Sequence, residues 1–296
     1  MVVTGSANMQ CVAAVTALIA DALAGSPQRL LVIGIAGAQG SGKSTLAGAV
    51  AARLNAQGTA TAALSLDDLY LTRSERLELA AREHPLLATR GVPGTHDAAL
   101  GLATIAALER GEAVPLPRFD KARDDRRPAD DWPLAHPRTQ VLLFEGWCIG
   151  ARPQTPSELA LPANKLEADE DRDGRWRGYA NAALAGDYAR LFARIDRLVL
   201  LAAPGFEVVA RWRGEQEAAL RAASVSAAPT ASDTDGSAET RGLLDAAQLR
   251  RFIAHYERIT RAMLAEMPSR ADLLIRLGAN REVLAITGRQ GRLPFA

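Results

Sequence analysis

The chain has 296 residues, 48% hydrophobic and 23% charged, with a formal net charge of +1. That length suits one large or two small domains with a sizeable core, and the near-neutral balance gives no electrostatic argument for a nucleic-acid or membrane partner. Two cysteines, Cys11 and Cys148, do not make a secreted disulfide scaffold and favour a reduced, cytoplasmic protein. In chain order, residues 1–10 lack the basic start of a signal peptide, and no apolar run approaches the roughly 20 residues of a membrane span. Residues 9–24 read as an Ala-rich N-terminal helix packed beside the core. The apolar run 30–36 reads as a buried strand, and further short apolar runs follow at 61–66, 141–144, 197–202 and 273–277. Helical patterns fall between them at 46–57, 98–110, 206–222 and 245–266. Strands alternating with helices predict βαβ units: a three-layer α/β/α fold around a mainly parallel five-stranded sheet, as one domain over 1–296. Two segments break the rhythm. Residues 83–132 are rich in Pro, Arg, Asp and His, while 223–240 (ASVSAAPTASDTDGSAET) is small, polar and of low complexity, expected as a disordered loop insertion.

The first strand leads into Gly37-Ala38-Gln39-Gly40-Ser41-Gly42-Lys43-Ser44, followed by Thr45 and a helix. This fits G-x-x-x-x-G-K-[ST] in the strand-loop-helix context that the motif needs. Backbone N–H groups of such a loop form an anion nest, and the helix N-terminus adds partial positive charge. Lys43 is placed to reach the outer phosphates and Ser44 to hold Mg²⁺. The second strand ends in Ser65-Leu66-Asp67-Asp68-Leu69-Tyr70. A carboxylate there can accept a proton from an attacking hydroxyl or organise the metal shell; the bland alternative is a capping acidic turn. The third strand runs Val141-Leu142-Leu143-Phe144 into Glu145, an apolar strand delivering an acid to the metal side.

Between these strands, Arg90-Gly91-Val92-Pro93-Gly94-Thr95-His96-Asp97 joins a rigid turn to an arginine suited to carboxylates and an imidazole. Asp97 reads chiefly as the N-cap of the next helix. Lys121 and Arg126, in a loop of alternating charge, can bind an anionic acceptor, whereas Arg123 and Arg127 read as solvated. Arg211 and Arg213 suit a lid that closes on a transferring phosphoryl group, or simply pair with Glu at i, i+4.

Together these motifs resemble the plant-type D-glycerate 3-kinase family, which is similar to uridine kinase, pantothenate kinase and phosphoribulokinase. The resemblance rests on the P-loop, SLDDLY (65–70), RGVPGTHD (90–97), LPRFDKARDD (116–125), FEGW (144–147), RWRGEQE (211–217), RFIAHYERITRAML (251–264) and RADLLIRL (270–277). It departs at Leu69, where Phe is usual, and at Gly242-Leu243-Leu244-Asp245. It implies a P-loop NTPase fold with a helical lid and phosphoryl transfer from ATP, with Mg²⁺, to a small hydroxy acid. It also implies roles: Lys43, Asp67, Arg211 and Arg213 catalytic; residues 37–45 nucleotide-binding; Ser44, Asp67 and Glu145 metal-organising. Asp68, Tyr70, Arg90, His96, Lys121 and Arg126 fall on the acceptor side. Alternatives are a relative acting on pantothenate, a nucleoside or another hydroxy acid, and an ATP-binding regulator without an acceptor. The adenine site is expected, by position alone, in the loop with Asn280 and Arg281. Oligomeric state is left open.

Overall fold

The computed structural model describes residues 5–25, 29–215 and 246–289. The strands are β1 (Leu31–Gly37), β2 (Thr61–Ser65), β3 (Phe119–Asp120), β4 (Asp125–Arg126), β5 (Val141–Gly146), β6 (Arg197–Ala202), β7 (Leu273–Leu277) and β8 (Val283–Gly288). The helices that position the site are α1 (Gly5–Gly25), α2 (Lys43–Ala56), α3 (Arg73–Arg82) and α4 (Ala98–Glu109). Four shorter ones follow, α5 (Pro156–Leu159), α6 (Lys165–Glu170), α7 (Arg175–Ala183) and α8 (Ala189–Phe192). Then come α9 (207–215) and α10 (Ala246–Glu266). The low-complexity segment 223–240 and the second half of the helix expected at 206–222 lie outside the described residues.

Six strands form the main sheet in the order β2-β5-β1-β6-β7-β8. Its first five are parallel neighbours, and β8 runs antiparallel to β7. The expected sheet had five. β8 escapes a search for continuous apolar runs because an edge strand needs only one covered face, and Leu284 on it is 64% exposed. At the centre, every residue of β1 and β5 is buried.

Alternation along these strands sends side chains to opposite faces and builds two core layers. Val32, Leu142 and Phe144 pack with Ile105 of α4 and with Tyr256 and Ile259 of α10. Ile33, Ile35 and Leu143 pack on the other face with Val15 and Ile19 of α1 and Val50 of α2. Helices on both faces of the sheet make the three-layer α/β/α fold. Contrary to expectation, Asn8–Gly25 is long and apolar enough to cross a membrane by length and composition; here Val15 and Ile19 are fully buried against the sheet.

Candidate active site

Parallel strands bring their carboxyl ends to one edge, and the neighbouring strands β2, β5 and β1 meet there. β1 pairs Ile35 with Glu145 of β5, and β5 pairs Glu145 with Ser65 of β2. The loop after β1, the acid at the end of β5 and the acidic turn after β2 are therefore spatial neighbours. The Ser65 hydroxyl accepts from the Asp67 N–H at 3.3 Å and starts the turn Leu66–Leu69, whose two leucines are fully buried. That anchoring sends the two aspartates in different directions.

A cleft of about 170 Å³ opens at this edge. Gln39, Gly40, Lys43 and Ser44 of the P-loop line it, with Asp67 and Glu145. Tyr70, Arg90, Lys121 and Arg213 also line it. The Ser44 hydroxyl donates to Glu145 Oε1 at 2.7 Å. Glu145 Oε2, Ser41 Oγ and Gln39 Oε1 are buried without a hydrogen-bond partner. Orphaned polar atoms grouped at a helix N-terminus fit a bound phosphate and its cation. No group of three His, Cys, Asp or Glu able to hold a metal occurs among the described residues. Mg²⁺ at a phosphate site needs only one or two protein groups beside phosphates and water. Thr45 is exposed in α2 and lies outside the cleft lining, while Gly37, Ala38 and Gly42 shape the loop. At Gly40, φ is +77°, and an added Cβ would lie 2.7 Å from Cβ of the buried Trp212.

Asp67 takes Lys121 Nζ on Oδ2 at 2.6 Å and the Tyr70 hydroxyl on Oδ1 at 2.9 Å. Burial pushes its carboxyl up, but the ammonium groups of Lys121 and Lys43 outweigh that and hold it below the usual carboxylate range. It is thus an ionised carboxylate facing the P-loop lysine. Asp68 turns the other way: its oxygens accept from the Phe119 N–H at 3.0 Å and from Arg118 at 3.4 Å. Its carboxylate holds the β3–β4 hairpin instead of lining the cleft, and burial raises its pKa.

The residues expected on the acceptor side divide similarly. Arg90 lines the cleft, pairs with Asp124 and lies 5.7 Å from the Phe119 ring centre. His96 sits behind Tyr70, stacked at 4.5 Å, with Nδ1 bonded to the Tyr188 hydroxyl at 2.5 Å. Burial pushes its pKa down to about 3, so the ring is neutral. Arg126 donates to the Tyr70 carbonyl at 3.1 Å and to Asp97 at 3.3 Å, tying the hairpin to the acceptor loop from outside the cleft lining. Asp97 also caps α4, accepting from the Leu100 N–H at 2.8 Å. The two arginines of α9 separate: Arg213 lines the cleft, whereas Arg211 donates to the Ala279 carbonyl on the β7–β8 connection. Arg281 on that connection donates to the Gly40 carbonyl at 2.7 Å and lies over Trp212 at 5.2 Å.

Reading the sequence for charge missed the aromatic wall. Trp147, Phe252 and Tyr256 line the cleft. The signal was present, because Phe252 and Tyr256 stand at i, i+4 on one face of α10.

A P-loop, a strand-borne acid and an ionised aspartate around one cleft define a P-loop kinase. No protein-family model matches the chain. It is 38% identical over 209 residues to a Schizosaccharomyces pombe protein described as an uncharacterized kinase (mug58), covering 66% of this chain and 72% of that one. It is 32% identical over 201 residues to the chloroplastic D-glycerate 3-kinase of Arabidopsis thaliana, covering 64% of this chain and 42% of the plant protein. The match therefore spans less than half of the plant protein's length. A D-glycerate 3-kinase structure from Cryptococcus neoformans superposes with a TM-score of 0.74 at 23% identity, over 96% of this chain and 99% of that one. The YGR205w protein gives 0.69 at 22% identity, over 92% and 94%. The chain belongs to the same kinase family as the Schizosaccharomyces pombe protein, and it is similar over part of that protein's length to the plant D-glycerate 3-kinase.

Proposed function

We propose that this kinase transfers the γ-phosphoryl group of ATP to a hydroxyl of D-glycerate, giving 3-phosphoglycerate. The observation that carries the reading is the ionised Asp67, with Lys121 and Lys43 acting on it, in a cleft that Arg90 also lines. An acceptor with both a carboxylate and a hydroxyl suits these groups: Arg90 holds the carboxylate and Asp67 takes the hydroxyl proton. A nucleoside has no carboxylate for Arg90, whereas pantothenate has one, so the acceptor panel below separates it from glycerate. Residues 37–44 grip the nucleotide, and Ser44 with Glu145 would hold Mg²⁺. When bound, the Mg²⁺ nucleotide supplies the phosphoryl group with part of its charge neutralised. Lys43 and Arg213 stabilise the charge that develops during transfer.

The test is ATP consumption by the full chain with Mg²⁺ across D-glycerate, L-glycerate, pantothenate and uridine. Stimulation by D-glycerate above the others supports the reading. Stimulation by uridine or pantothenate instead replaces it, and ATP binding without stimulation by any acceptor favours a nucleotide-switched regulator.

A further inference from the structure

The loop carrying Arg90 is held by the polar tips of aromatic side chains from separate elements. Trp147, just past β5, donates Nε1 to the Gly91 carbonyl at 2.8 Å. Tyr256 of α10 donates its hydroxyl to the Arg90 carbonyl at 3.1 Å. The two rings meet edge to face at 4.8 Å, so each fixes the other. The fit is close: Gly91 has φ +134°, and an added Cβ would lie 2.0 Å from the Tyr256 hydroxyl oxygen. At the other end of the side chain, the Arg90 guanidinium pairs with Asp124, which also receives the buried Arg76. One helical turn before Tyr256, Phe252 lies 5.8 Å from the Arg213 guanidinium. Helix α10 thus touches two cleft cations, Arg90 through its backbone and Arg213 through an aromatic face.

We propose that Tyr256 is a positioning residue for the acceptor: its hydroxyl fixes the peptide from which Arg90 projects, and so sets acceptor affinity through α10. This rests on the reading of Arg90 as the acceptor's carboxylate partner. Tyr256→Phe removes one oxygen and keeps the packed ring, so the fold has little reason to change. The experiment measures KM for D-glycerate and for ATP, with calorimetric affinity for D-glycerate, in wild type, Tyr256→Phe, Arg90→Ala and the double variant.

The expected result is a loss of D-glycerate affinity of about two- to tenfold in Tyr256→Phe, the range of one net hydrogen bond, with kcat and the ATP KM unchanged. In the Arg90→Ala background the Tyr256 change adds nothing, because the group it positions is gone. If Arg90→Ala weakens D-glycerate binding but Tyr256→Phe does not, or if the two effects add fully, the positioning role is overturned and the Arg90 reading stands. If Arg90→Ala leaves binding unchanged, both fall.

Discussion

Replacing Lys121 by Met removes the cation bonded to Asp67 while keeping most of the side chain's length. The two charged groups meet at 2.6 Å. At an effective dielectric near 20, a pair about 4 Å apart is worth roughly 4 kcal/mol. Lys121 is 59% exposed, so solvent screening leaves about 1–2 kcal/mol of that, or about one pH unit in the titration of Asp67. The sign follows from the active form. Transfer needs the Asp67 carboxylate ionised, so activity is lost as pH falls through its pKa. In the wild type that pKa is depressed, and the acid limb lies below the ordinary carboxylate range. In Lys121→Met, burial still pushes the carboxyl up while only Lys43 of the two lysines remains, so the limb moves to higher pH. The assay is kcat/KM for D-glycerate from about pH 2 to 8, with circular dichroism confirming the fold at each pH, because the wild-type limb lies below the ordinary carboxylate range. The height of the profile falls too if Lys121 touches the acceptor, but the limb position is read independently of height. A limb that stays in place, or moves to lower pH, would refute the assignment of Asp67 as the group that Lys121 keeps ionised.

Lys43→Ala should lower kcat by at least about 10²-fold, the range for removing one preorganised charge from a transition state, with the far-UV circular dichroism of the wild type. Near-normal turnover in that variant rules out the P-loop chemistry. Gly91→Ala should cost about 1–3 kcal/mol in urea unfolding from its positive φ alone, and more from the overlap with Tyr256; a change within about 0.5 kcal/mol would mean the loop relaxes freely. Trp212→Ala removes a side chain with no exposed surface that packs on Gly40. It should cost about 3–5 kcal/mol and raise the ATP KM, whereas a loss of stability with unchanged ATP KM would separate α9 from the nucleotide site.

What was legible in the sequence was local chemistry with a strict spacing. The P-loop, the acid ending β5 and the acidic turn after β2 need their residue types at those positions, and the parallel sheet then carries them to one edge. What was not legible depends on orientation. Asp67 and Asp68 are adjacent and chemically identical, yet the turn begun by Ser65 sends one into the cleft and the other to the hairpin backbone. Arg211 and Arg213 stand two apart on a helix, so they face different neighbours: Ala279 for one, the cleft for the other. His96 is expected on the acceptor side from its motif, but it is buried behind the Tyr70 ring. β8 and the aromatic wall were missed for one reason: an edge strand and a cleft lining show no charge motif, only a half-covered apolar pattern.

The central claim is the identity of the product, and phosphorus NMR of the full chain incubated with ATP, Mg²⁺ and D-glycerate reads it directly. The resonance of 3-phosphoglycerate should grow as that of ATP γ-phosphate declines. Phosphate released into solution with no phosphoglycerate formed, or 2-phosphoglycerate as the product, would contradict it.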